Sequence, residues 1–151
     1  MSLVEFIQPI TGSWVGINRL RLMPDDDYTE SAGTATIRIV ASNYAVIEYT
    51  WFDGEAPQTG LMLIQGSLDS LSCVWVDSWH SSQEWMSLAG SQEDGVLVLK
   101  GSYPAESGPD WGWHIHVEYA DDAHARLSMH NVVPGHDPYQ VVELALERST
   151  D

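Results

Sequence analysis

Basic residues are scarce in this chain. Its 151 residues include 22 Asp and Glu but only 6 Lys and Arg, so the formal net charge is −16 at pH 7. Such an acidic surface repels the phosphates of nucleic acids and the headgroups of anionic lipids. We therefore expect neither nucleic acid nor a membrane surface as a partner. Solubility is the simplest reason for the acidity, and attraction of a cationic ligand is the alternative.

Cysteine and long apolar runs are nearly absent as well. The lone Cys73 cannot form an internal disulfide, which is typical of the reducing cytoplasm. No apolar run approaches the roughly 20 residues of a membrane-spanning helix. Residues 1–9 lack the basic start and apolar centre of a signal peptide. We expect a cytoplasmic protein in which residues 1–151 form one domain.

Helical sequence is confined to the N-terminus. Residues 2–8 predict one short helix with Ser2 as its N-cap. Its apolar side consists of Leu3, Phe6, Ile7 and Ile10. A helix this short is stable only when it packs against something larger.

After Thr11 the chain consists of short segments in which apolar and polar residues alternate. Turn-forming pairs such as Asp53-Gly54 and Pro134-Gly135 separate them at intervals of about 8–14 residues, which is typical of all-β folds. The predicted strands are Ser13–Leu22, Gly33–Ala41, Tyr44–Phe52, Thr59–Ser67, Ser72–Asp77, Gln83–Ala89, Val96–Tyr103, Trp111–Tyr119, His124–Val132 and Tyr139–Arg148.

These strands predict a closed barrel. Connections this short join neighbouring antiparallel strands and leave no room for the helices of a parallel α/β fold. Closure removes the exposed edges that would otherwise invite aggregation. About eight strands enclose one small ligand at most, so a barrel of about ten leaves more room. The prediction is an all-β, up-and-down barrel, and a two-sheet sandwich is the alternative.

One hairpin shows which face is interior. The favoured register puts the apolar residues of both strands on one face, whereas a shift by one residue would mix them with polar ones. The apolar face then consists of Trp113, Ile115, Val117, Ala125, Leu127 and Met129. The opposite face carries His114, His116, Glu118, His124, Arg126, Ser128 and His130.

Tryptophan is frequent, with seven residues in the chain. Indoles combine a rigid contact area with one polar group, which suits the wall of a cavity for a flat ligand. Simple filling of the barrel is the alternative. The segment from Trp75 to His80 adds polar side chains beside two indoles, although no Gly-x-Ser-x-Gly turn surrounds Ser78. The residues expected to contact a ligand are Trp51, Trp75, Asp77, His80 and Trp113.

Histidines raise two further alternatives. His114 and His116 project from one face of a strand, as ligands of zinc or haem iron can. Their face is opposite to the apolar one, so we expect them on the exterior and predict no metal site and no cofactor. An enzyme would use a His/Asp pair in the cavity, with His80, His114 or His116 as base and Asp77 or Glu118 orienting it. We assign no catalytic residue.

The opening Gly12-Ser13-Trp14 and its strand resemble the Gly-x-Trp start of the calycin superfamily, which includes lipocalins, fatty-acid-binding proteins and nitrobindin-like proteins. In that superfamily an Arg of the final strand packs across the Trp at the closed end. The resemblance implies that Arg148 covers Trp14 here. The Trp75–His80 segment and Asp110-Trp-Gly-Trp113 resemble, more narrowly, the DUF1579 family of uncharacterised bacterial proteins.

The ligand motifs of known calycins are missing. Arg148 is followed by Ser149 and Thr150, so the Arg-x-Tyr carboxylate anchor of fatty-acid-binding proteins is absent. The Gly-x-Gly-x-Tyr-Pro run of nitrobindins is absent too. The sequence thus favours a module that binds a small hydrophobic or aromatic molecule inside the β-barrel. Haem binding, a His/Asp enzyme and a homodimeric interaction protein are the alternatives.

Overall fold

A closed antiparallel barrel accounts for most of the chain. The computed structural model describes residues 1–150. Each strand pairs with its neighbours in sequence, and the first also pairs with the last. The closed all-β barrel is therefore confirmed and the two-sheet alternative is wrong. The strands are β1 (Gly12–Leu20), β2 (Thr29–Val40), β3 (Tyr44–Phe52), β4 (Pro57–Ser67), β5 (Ser70–Asp77), β6 (Met86–Glu93), β7 (Val96–Tyr103), β8 (Trp111–Asp121), β9 (His124–Val132) and β10 (Tyr139–Arg148).

Two strands begin three or more residues away from their predicted starts. β2 starts four residues before Gly33, because Thr29 still pairs with Leu20 of β1. β6 starts at Met86 rather than at Gln83, because its pairing with β5 begins where Met86 lies opposite Trp75. The residues before Met86 form a loop at the end of the barrel, and this loop contributes to the site described below.

A short helix closes one end of the barrel. Helix α1 (Leu3–Ile7) continues into a single 3-10 turn over Gln8–Ile10. The Ser2 hydroxyl accepts the backbone N–H of Glu5 at 3.1 Å, and the Glu5 carboxylate accepts that of Ser2 at 3.2 Å, a reciprocal capping box. The predicted helix and N-cap are confirmed. Among residues 1–150, neither helical segment has the length and hydropathy of a bilayer span.

Trp14 and Arg148 join the first and last strands to this closed end. The indole of Trp14 donates to the carbonyl of Ile10 at 2.9 Å. The Arg148 guanidinium lies 4.6 Å from the centre of the Trp14 ring, within the range of a cation–π contact. It also donates to the carbonyls of Thr11 and Pro9, both at 2.8 Å. The arrangement implied by the calycin resemblance is thus present.

Apolar side chains fill the middle of the barrel. The predicted apolar face of the hairpin is interior, with Ile115 opposite Met129 and Val117 opposite Leu127, all buried. The extra room expected inside a barrel of ten strands is therefore occupied by side chains in this layer, and the end opposite the helix is the open end of the barrel. Side chains of this layer with at most 2% exposure include Ile47, Met62, Ile64, Leu97, Leu99 and Ile115.

Candidate functional site

The open end of the barrel collects aromatic residues. Because β1 starts at the helix-capped end and each later strand reverses direction, β3, β5 and β7 end at the open end and β8 begins there. Inward-facing positions near those strand ends therefore come together. We call this region the mouth, and it consists of Tyr49, Trp51, Trp75, Asp77, His80, Tyr103 and Trp113.

The carboxyl of Asp77 is the polar centre of the mouth. Only 2% of this residue is exposed. One oxygen accepts the Tyr49 hydroxyl at 2.7 Å and the Trp51 indole N–H at 3.3 Å. The other accepts the backbone N–H groups of Trp79 at 2.8 Å and His80 at 3.0 Å. These four donors satisfy both oxygens of the Asp77 carboxyl group, and their hydrogen bonds offset the cost of burying it.

Tyr49 extends this network to a second indole. Its hydroxyl accepts the indole N–H of Trp75 at 2.8 Å while it donates to Asp77. Burial and the adjacent Asp77 charge raise the pKa of Tyr49, so the hydroxyl stays protonated. The ring occupies the space beside Gly60, where a Cβ would lie 2.1 Å from the Tyr49 Cζ atom. Glycine at this position lets the ring lie flat across β4.

The imidazole of His80 lies among four indoles. Its ring centroid is 4.7 Å from that of Trp79, 5.4 Å from Trp113, and 5.9 Å from both Trp51 and Trp75. Burial lowers the pKa of His80, against the opposing effect of the Asp77 charge, so the ring is neutral at pH 7. Within residues 1–150 its ring nitrogens have no hydrogen-bond partner, and only its backbone N–H contacts Asp77. The His/Asp pair that the enzyme alternative requires is therefore not formed by these two side chains.

A pocket of about 610 Å³ opens beside His80. Two of its walls, Trp75 and Trp113, stack with ring centroids 5.5 Å apart and planes 17° apart. Trp113 is 7% exposed, and its indole N–H is fully buried without an acceptor in residues 1–150. The other lining side chains include Ser81, Glu84, Trp85, Met86 and Tyr103.

The five residues predicted to contact a ligand are close together, but they occupy two layers. Trp75, His80 and Trp113 line the pocket. Trp51 and Asp77 lie behind them, buried, and hold the first layer in place through the hydrogen bonds above.

Sequence reasoning missed two residues of the mouth, Tyr49 and Tyr103, and one further residue that lines the pocket, Trp85. Tyr49 lies two residues before Trp51 on the same face of β3, so strand alternation could have identified it. Tyr103 follows from the same rule on β7, and its hydroxyl donates to Asn131 at 2.5 Å. Trp85 lies in the irregular loop before β6, where no periodicity indicates direction.

His114, His116 and His130 lie on the outer wall, as the hairpin register predicts. His114 pairs directly with His130 across β8 and β9, and the rings of His116 and His130 are 4.4 Å apart. Burial, followed by the charges of neighbouring His and Arg side chains, lowers the pKa of His130 to about 4. Within residues 1–150 no three His, Cys, Asp or Glu side chains stand together in a way that could hold a metal ion.

Comparisons with known proteins bear on the fold. The model of the family described as protein of unknown function (DUF1579) matches residues 4–148. A comparison with curated proteins gave no match. The crystal structure of Rv2717c from M. tuberculosis is similar, with a TM-score of 0.63 and 13% identity over 97% of this chain and 96% of that one. At that identity the similarity shows the fold alone.

Proposed function

Since the chain belongs to the DUF1579 family, whose function is unknown, we propose from the geometry of the mouth that this region binds a small hydrophobic or aromatic molecule. The observation that carries the proposal is the indole N–H of Trp113. The chain has four buried indoles, and those of Trp14, Trp51 and Trp75 donate to internal acceptors at 2.8 to 3.3 Å. Trp113 alone among them has no acceptor within residues 1–150, and it lines the pocket.

Energetics support the same assignment. A buried donor without a partner costs about 1–3 kcal/mol. A ligand oxygen or nitrogen that displaces the atoms covering the Trp113 N–H would recover this cost. The wall around that donor combines aromatic rings with serine hydroxyls and the Glu84 carboxylate, and an aromatic surface with placed polar groups is typical of small-molecule sites. The pocket volume of about 610 Å³ lies in the range of such sites.

The ligand would lie at the mouth and not at the centre of the barrel. Side chains such as Met62, Ile64 and Leu99 are completely buried in the middle layer. A molecule bound between Trp75, His80 and Trp113 would therefore be shallow and partly open to solvent. This geometry suits a compact flat molecule better than a long alkyl chain, which needs a deep interior channel.

Native mass spectrometry of gently purified protein, followed by titration of tryptophan fluorescence with the molecule identified, tests the proposal. Trp113→Phe keeps an aromatic ring but removes the N–H, and we expect it to weaken binding about 10-fold. His124→Ala removes a histidine on the outer wall far from the mouth, and it should leave binding unchanged. Equal affinity of the wild type and Trp113→Phe would contradict the proposal.

Haem is the second candidate, because the neutral ring of His80 offers an unpartnered nitrogen of the kind that ligates haem iron. No Lys or Arg lines the pocket to pair with the haem propionates, so the lining offers a nitrogen for the iron but no cation for the carboxylates. Titration with hemin distinguishes the two candidates. A Soret shift that His80→Ala abolishes and a His114→Ala/His116→Ala double variant retains would favour haem.

A further inference from the structure

We infer that the mouth selects a molecule that carries no negative charge and presents a hydrogen-bond acceptor next to its aromatic ring, such as an aromatic amide or ketone. The inference rests on the proposed function and specifies the chemical class of its ligand.

The charges around the pocket exclude anions. No Lys or Arg lines it, whereas the carboxylate of Glu84 does. The formal net charge of −16 adds a repulsive background. His80 contributes no positive charge at pH 7, because burial lowers its pKa. A ligand carboxylate would lose water at the mouth without gaining a cation, and that loss is costly.

Five of the six basic side chains are engaged elsewhere, and the sixth, Lys100, is exposed on β7 and does not line this pocket. Arg19, Arg38 and Arg126 form ion pairs with Glu side chains on the outer wall. Arg148 is bonded at the closed end. Arg21 is the basic residue that follows a strand ending at the open end, and it donates to the carbonyls of Pro24 and Gln140. None of these lines the pocket beside His80.

Hydrogen-bond donors indicate what the ligand must offer. The Trp113 N–H is a buried donor without an acceptor in residues 1–150. The hydroxyl of Ser81 lines the same pocket and accepts the backbone N–H of Asp77 at 3.0 Å, so its own hydrogen is available to donate. Together with the other serine hydroxyls of the lining, these donors favour a flat ring that bears a carbonyl oxygen, because such an oxygen has two lone pairs to accept their hydrogens.

Three 2-substituted naphthalenes test the inference: naphthalene-2-carboxamide, the anion 2-naphthoate, and 2-methylnaphthalene, which has no acceptor. Their affinities for the full chain at pH 7 are measured by ligand-observed NMR and calorimetry. We expect the carboxamide to bind about 10-fold more tightly than either of the others. Glu84→Gln should improve binding of 2-naphthoate and leave the carboxamide unchanged, whereas Glu147→Gln at the closed end should change neither. Trp113→Phe should remove the advantage of the carboxamide over 2-methylnaphthalene.

The outcomes separate the inference from the proposed function. If 2-naphthoate binds as tightly as the carboxamide, the inference is wrong while a ligand site at the mouth stands. If none of the three binds, the proposed function fails and the inference fails with it. Thermal unfolding of each variant shows whether it is folded, and Glu84→Gln keeps the test decisive if Trp113→Phe does not fold, because Glu84 is an exposed loop residue.

Discussion

Replacement of Asp77 by Asn gives the sharpest test of how the mouth is built. The substitution keeps the shape of the side chain but turns one acceptor into a donor. If the remaining oxygen faces the backbone N–H groups of Trp79 and His80, the new NH₂ group faces the Tyr49 hydroxyl and the Trp51 indole N–H, which both donate to Asp77 in the wild type. The hydroxyl of Tyr49 can rotate to accept, but the indole of Trp51 cannot.

The magnitude follows from these bonds. One buried indole N–H loses its acceptor, at about 1–3 kcal/mol, and the bonds that remain lose their charge assistance, at about 1 kcal/mol each. Relief of the cost of burying a charge opposes both effects. We expect Asp77→Asn to lower the free energy of unfolding by about 2 kcal/mol and to weaken ligand binding, because the backbone of His80 loses a strong acceptor.

Urea unfolding followed by tryptophan fluorescence measures this effect, with Asp137→Asn in an exposed loop as the matched control. Tyr49→Phe removes the hydroxyl that links Asp77 to Trp75. A double-mutant cycle between the two variants should give a coupling energy of about 1 kcal/mol or more. Additive effects, or an Asp77→Asn variant as stable as the wild type, would refute the reasoning.

Three further predictions concern stability. Arg148→Met should cost about 2–4 kcal/mol in urea unfolding, because it removes hydrogen bonds to backbone carbonyls and the contact with Trp14, whereas Arg38→Met, at an exposed ion pair, should cost less than about 1 kcal/mol. The pKa of His130 is about 4 when folded and near 6.5 when unfolded, so the unfolded state binds more protons between these values and stability falls as pH falls through them. Between pH 7 and pH 4 the free energy of unfolding should therefore fall less in His130→Gln than in the wild type, by on the order of 1 kcal/mol once the partial exposure of His130 is allowed for. Identical dependence of the free energy of unfolding on pH in the two proteins would contradict this. Gly60→Ala places a Cβ 2.1 Å from the ring of Tyr49, so it should cost about 2 kcal/mol or more, and an unchanged unfolding midpoint would show that the ring moves freely.

The barrel could be predicted because most of its strands alternate between inward apolar and outward polar residues. In β8 the inward residues Trp113 and Ile115 are buried while the intervening His114 is only half-buried, and the limits of β3, β7, β9 and β10 agree with the prediction. The start of β6 could not be predicted, because residues 81–85 are Ser, Ser, Gln, Glu and Trp, and this run has no period. Where periodicity ends, only tertiary pairing decides the limits of a strand.

The candidate site was predictable in place but not in detail. Strand parity brings Trp51, Trp75 and Trp113 to one end, so their proximity follows from the fold. The position of Asp77 behind the pocket does not, because two of its donors are backbone N–H groups of the following loop. The filled middle of the barrel could not be predicted either, because the width of a barrel depends on strand tilt and stagger, which local sequence does not specify.

The two ends of the barrel differ in whether every buried indole N–H has an acceptor. At the closed end, Trp14 is satisfied by a backbone carbonyl and covered by Arg148, so every polar group described there supports the fold. At the mouth, one carboxyl orders two indoles and the His80 backbone, yet the Trp113 N–H beside them has no acceptor within residues 1–150. A network that only stabilised the barrel would gain by satisfying that donor as well. A rigid wall that holds one unsatisfied donor at a pocket is instead the arrangement that lowers the cost of ordering a site when a ligand binds.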